Sequence, residues 1–240
     1  RAEAEYLLSH ERKQELADVY LGFARKYATP RTEQSPPDQP PRDYAKALEF
    51  FQQAIELGPK PELRPEIEMQ IAECYRLSGN FEEAADHFAK FIKDRADDPR
   101  TPEARYRLGE SRFRQDRHAE ARRAWQDLMA LWPGDKLPAD KTQADYVARS
   151  YIGVAWSYRM PSPVDDDDLA LGIVATEAFL ARFPEHKLAN EARMGLVQAR
   201  MVRGRFAEAA VAAEQFLSDA KRAAAPEAAD VRNLLGSALL

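Results

Sequence analysis

The sequence predicts an all-α protein built from helix–turn–helix units that repeat along the chain and stack on one another. Three observations carry this. A small residue recurs at Ala47, Ala84, Ala121, Gly172 and Ala209. Three of the four intervals between these positions are 37 residues, and the remaining one is 51. Glycine is scarce, at 10 of 240 residues, while Ala, Leu, Glu and Arg abound, a mixture that favours helix over strand.

The units follow in order, with boundaries near 10–60, 65–99, 102–135, 143–187 and 189–222 and a final helix at 227–240. They form one array over residues 1–240. In the first, "DYAKALEFFQQAIELGP" is the second helix, with Tyr44, Ala47, Phe51 and Ala54 on one face and Pro59 ending it. In the second, Gly79-Asn80-Phe81 makes the turn, with Tyr75 before it and Ala84 and Phe88 after. The third carries Leu108, Gly109, Ala121, Trp125 and Pro133. The fourth is degenerate, keeping Ile152, Gly153, Trp156, Gly172 and Pro184. The fifth keeps Leu196, Gly204, Phe206, Ala209 and Phe216. Small residues let helix backbones approach at crossings, and large ones a turn away fill the gaps between neighbours. Each helix pair leaves an apolar face that only the next pair covers.

These residues resemble the tetratricopeptide repeat, a helix–turn–helix unit of about 34 residues. The resemblance implies a right-handed α-solenoid whose first helices line a concave face. The extra residues of the 37-residue period sit between repeats, in "RADDPRTPEAR", "RFPEHKLANEAR" and "KRAAAPEAADVR". This linker style is similar to that of tetratricopeptide proteins of bacterial envelopes. It points to the periplasm or cell envelope and leaves the cytoplasm open. The start at Arg1, without an initiator Met, and the apolar ending "NLLGSALL" suggest an excised or truncated segment. No apolar run is long enough to span a membrane.

Two inter-helix loops stand out. Ala28 to Arg42 holds Pro30, Pro36, Pro37, Pro40 and Pro41, which forbid helix and favour an extended segment, either a tolerated insertion or a docking site. "MPSPVDDDDLALG" lacks the alternating ligands, central Gly and distal Glu of a calcium loop. Its Asp167 or Asp168 is expected to cap the following helix.

Catalytic signatures are missing. His10, His87, His118 and His186 fall in different units, without metal-ligand spacing. There is no GxSxG, phosphate-binding loop or HExxH. Cys74, the single cysteine, is expected to be a buried, inert thiol. The sequence therefore implies no enzyme, cofactor or metal.

The register assigns a binding groove to the first helices: Met69, Glu73 and Arg76; then Tyr106, Glu110, Phe113 and Arg114; then Ser150, Val154, Ser157 and Tyr158; then Met194, Gln198, Met201 and Val202. Mixed aromatic and Met positions suit a peptide or a partner helix. An anionic tail would meet Glu73 where co-chaperone tetratricopeptide domains present Asn, so that ligand class is not expected. The stretch "RYRLGESRFRQDRHAEARR" suggests nucleic acid at first sight. The net charge of −5 opposes this, and the register separates its rings from Arg107, Arg117, Arg122 and Arg123, which are expected on outer faces or edges. The leading expectation is a non-catalytic scaffold that binds a protein or peptide through its concave face. The alternative is a structural spacer or oligomerisation arm of a larger protein.

Overall fold

The structure is a computed structural model that describes residues 2–9, 12–36 and 39–240. His10 and Pro37 lie outside the described residues. Every regular element among the described residues is a helix. The chain divides into two compact units, residues 1–115 and 116–240. The division falls at the turn inside the third repeat.

The first unit contains α1 (Ala2–Ser9), α2 (Lys13–Ala28), α3 (Tyr44–Glu56), α4 (Arg64–Leu77), α5 (Phe81–Asp94) and α6 (Thr101–Arg114). Ala47 and Ala84 are fully buried, which brings α3 and α5 close to their neighbours. Around Ala47, the buried side chains of Leu21, Phe51, Ile67 and Ile71 join α2, α3 and α4 into one cluster. Around Ala84, Met69, Phe88, Phe91 and Ala104 join α4, α5 and α6 into the next. Each buried Phe contributes about 1.5–3 kcal/mol relative to exposure. The proline-rich loop is folded back onto α2. Gln39 Nε2 donates to the Thr29 carbonyl at 3.3 Å, and the Asp43 amide donates to Tyr27 O at 2.9 Å.

The second unit contains α7 (His118–Met129), α8 (Lys141–Trp156), α9 (Asp166–Arg182), α10 (Ala189–Val202), α11 (Phe206–Leu217), α12 (Ala220–Ala223) and α13 (Ala228–Ala238). Ala121 and Ala209 are again fully buried. Gly153 of α8 lies under the Trp125 indole, so closely that a Cβ there would sit 2.9 Å from the ring. Gly172 faces Met160 in the same way. Ile152, Ala155, Phe179, Ala192 and Leu196 tie α8, α9 and α10 together. Val197, Ala213, Phe216 and Val231 tie α10, α11 and α13. Arg182 holds the segment after α7, donating to the carbonyls of Trp132 at 2.9 Å and Lys136 at 2.6 Å.

The helix boundaries follow local chemistry. Gly79 has φ 85°, the left-handed turn conformation that glycine adopts without strain, and Asp116 takes the same region at φ 58° in the equivalent turn. Asp43 and Asp140 cap α3 and α8 by accepting the amides of Lys46 and Gln143. At α9 the cap is Asp165, whose Oδ1 accepts the Asp168 amide at 2.7 Å, and not the expected Asp167 or Asp168. The helix starts earlier than the sequence suggests, so the other three aspartates occupy its first turn, where the helix dipole favours negative charge. Asp166 there also pairs with Arg203 at 3.1 Å and Arg205 at 3.0 Å.

Candidate protein-binding faces

The predicted groove residues fall on both units, and each face is distinct. In the first unit, α4 and α6 are the first helices of repeats two and three. Met69 and Tyr106 are not at the surface: they are 7% and 2% exposed. This corrects the expectation. Met69 points between α4 and α6 into the cluster around Phe88, because an apolar side chain at that crossing gains more by burial than by solvation. Tyr106 is buried to its hydroxyl, which donates to Glu110 Oε1 at 3.1 Å.

Glu73, Arg76 and Glu110 come together as expected, with an addition. Arg76 donates to both Glu73 oxygens, at 2.8 and 2.6 Å. That hydrogen bond is the largest cause of the Arg76 guanidinium being held above its ordinary pKa, with burial opposing it. Arg107 donates to Glu110 Oε2 at 2.7 Å and approaches Glu73 at 3.9 Å, so it bridges α6 to α4. Arg107, expected on an outer face or edge, also stands 3.7 Å from Glu103, so two arginines and three glutamates join the two helices. Its spacing of three residues from Glu110 is the signal the sequence offered. The cluster carries three carboxylates to two guanidinium groups. Phe113 is half-buried and Arg114 exposed at the end of α6.

In the second unit the first helices are α8 and α10. Val154, Ser150 and Ser157 are buried, at 8%, 0% and 3% exposure, so Val154 also is packing and not surface. These positions lie on the inner side of α8, beside Ile152 and Ala155, and its neighbours cover them. Tyr158 is half-buried. Arg122, expected on an outer face, lies over its ring at 3.8 Å from the centroid and donates to Ser157 Oγ at 2.9 Å. Met194 and Met201 are half-buried against the cluster of Val197 and Phe216, and Val202 is exposed.

Met194 and Gln198 meet at a cleft of about 90 Å³. Trp156 and Pro161 from the α8 side, Thr176 of α9, and Glu191 and Gly195 of α10 are among the other residues that line it. The added residues were visible only in part: Trp156 belongs to the repeat pattern, but nothing local marks Pro161 or Gly195 as its neighbours. The cleft is mainly apolar, with Gln198 offering amide donor and acceptor groups.

Burial pushes the Cys74 thiol up to about 12, and Glu73 adds to the effect. Among the described residues no group of three or more His, Cys, Asp or Glu could hold a metal ion. Among the described helices none is long and apolar enough to cross a membrane.

Residues 42–101 and 75–136 match two family models, both described as tetratricopeptide repeat. Residues 42–136 thus carry tetratricopeptide repeats. Solved structures of tetratricopeptide-repeat fold agree over almost the full length of the chain. MamA from Desulfovibrio magneticus RS-1, residue 41 to the end, is 18% identical with a TM-score of 0.57, covering 92% of this chain and 96% of that one. A MamA RS-1 double mutant gives 19% identity and 0.58 with similar coverage, 92% and 95%. A Podospora anserina putative kinesin light chain with nearly identical TPR-like repeats gives 15% and 0.55, covering 98% and 97%. At these identities the likeness is one of fold. No curated protein sequence matches the chain.

Proposed function

We propose that this tetratricopeptide-repeat protein is a non-catalytic scaffold that takes a peptide or partner helix at the cleft between α8 and α10. One observation carries the reading. Met194 and Gln198, placed on a common face by the repeat register, line an apolar recess with Trp156 and Pro161. Such a recess suits one apolar anchor side chain, with Gln198 fixing the backbone beside it.

Peptides selected from a displayed library on the immobilised protein test this. Gly195→Arg fills the cleft from a position where an added Cβ has only ordinary contact, 3.5 Å from Pro161. Capture of apolar-anchored peptides is expected to fall about tenfold or more, the scale of one lost buried anchor. Undiminished capture by Gly195→Arg and Gln198→Arg sinks the assignment. The linker style supports a bacterial envelope location, which fractionation of the native host checks.

A further inference from the structure

The α8–α10 cleft has a charge at its edge that the packing leaves unused. Glu191, exposed in the first turn of α10, lines it, and among the described lining residues Glu191 alone is charged.

The repeat register shows why this carboxylate is left over. Ala72 of α4, Gly109 of α6 and Val197 of α10 occupy one place in the repeat, so Glu66, Glu103 and Glu191, six residues earlier in each helix, are equivalent. Glu66 meets Arg25 at 2.8 Å, and Glu103 meets Arg107 at 3.7 Å. In α10 the place of Arg107, four residues after the glutamate, belongs to Gly195. A glycine supplies no partner, and Gly195 itself lines the cleft. Among the described residues Glu191 makes no ion pair. The cations beside it in the chain are engaged elsewhere. Lys187 stands 3.1 Å from Asp145, and Arg193 donates to Asn190 Oδ1 at 3.3 Å and to the Pro184 carbonyl at 3.2 Å.

We propose that the segment taken by this cleft carries a lysine or arginine beside its apolar anchor, and that Glu191 pairs with it. This rests on the reading of the cleft as a peptide site and adds the charge of the ligand: a basic, apolar segment of a partner protein. The ligand's cation takes the role that Arg107 has toward Glu103. An apolar wall lowers the screening by water, which strengthens the pair over one in open solvent. The methylene stem of the basic side chain adds apolar area against the cleft. Glu191 and Gln198 are seven residues apart on α10, two turns, so about 10 Å separates them. An extended peptide covers about 10 Å in three residues, so the basic residue lies within three of the anchor.

The test is a random-peptide display selection on the full chain. One enriched peptide is then synthesised with lysine at the basic position and with norleucine, which keeps the stem and removes the charge. The expected consensus has Lys or Arg within three residues of Leu, Ile, Met or Phe. Glu191→Gln, an exposed change whose folding is checked by thermal melting, is expected to weaken the lysine peptide about fivefold, the scale of one ion pair. The norleucine peptide is expected to bind wild type about fivefold more weakly and to lose nothing further on Glu191→Gln. Glu208→Gln, which removes an acid of α11 outside the cleft lining, is expected to change nothing. Three results overturn the proposal. They are a selected set without a basic residue that Gly195→Arg still abolishes, a basic peptide that binds wild type and Glu191→Gln alike, and an equal loss on Glu208→Gln, which assigns the binding to net charge. The first leaves the cleft standing as a peptide site. Capture indifferent to Gly195→Arg overturns that reading itself, and this inference with it.

Discussion

Gly153→Ala adds one carbon at the close approach of α8 to Trp125 of α7. The new Cβ would stand 2.9 Å from Cδ2 and Cε3 of Trp125. Ordinary carbon contacts begin near 3.5 Å, so about 0.6 Å must be recovered. Trp125 is only 1% exposed and cannot rotate away, so α7 and α8 have to separate. Such overpacking costs about 1–3 kcal/mol. Alanine returns about 1 kcal/mol of helix propensity over glycine. The net effect is a destabilisation of up to about 2 kcal/mol, or a fall in melting temperature of up to about 8 °C for a chain of this size. Trp125, Trp132 and Trp156 are the only tryptophans and all lie in the second unit, so their fluorescence reports that unit alone. Gly236→Ala is the internal control. It lies in α13 of the same unit with open space around the added carbon, and should hold or raise stability. If Gly153→Ala melts at or above the wild-type temperature, the small-residue column is not there to permit close approach, and the packing account of the repeat fails.

Three further outcomes follow from the same geometry. Asp165→Ala removes the α9 cap and should cost about 1 kcal/mol by urea denaturation, while Asp167→Ala, which makes no cap bond, should cost less. Cys74 should resist a thiol reagent at pH 8 in the folded protein and react only as urea unfolds the first unit, because its thiol is raised to about 12. Burial raises the Glu68 carboxyl, but hydrogen bonds and charge from Arg95 and Arg64 outweigh this and leave it below the ordinary value. A depressed folded pKa gives stability that is full above the ordinary carboxylate range and lost as pH falls through the folded value. Glu68→Gln should therefore flatten the acid limb of a far-ultraviolet circular dichroism titration without altering the neutral end in the same proportion.

The repeat was legible because its constraint is nearly local. Two backbones can approach only where a side chain is absent or a methyl, so Ala47, Ala84, Ala121, Gly172 and Ala209 stay small, and spacing alone exposes them. Asp116 in the place of Gly79 and Gly204 was legible for the same reason, since few residues tolerate the left-handed turn. The faces were less legible because they depend on crossing geometry. Residues four apart on a helix share a face only to within about 40°, and a neighbouring helix covers part of that face. Glu73 and Glu110 stayed accessible while Met69 and Tyr106, a turn earlier, turned inward. Val154 and Tyr158 divided in the same way on α8.

The arginines show where pattern reading fails for a stronger reason. Arg107 and Arg122 read as residues of outer faces or edges, yet one bridges two helices through Glu73 and Glu110 and the other lies on the Tyr158 ring. A long side chain reaches partners several ångströms from its Cα, so its role is set by what the next helix presents. Arg107 meets a complementary carboxylate set and is silent toward partners. Arg193 of α10 donates to Asn190 Oδ1 and the Pro184 carbonyl, with the charges of Arg222, Glu185 and Asp219 around it. Identical residues on first helices thus take different roles according to the neighbour each one finds.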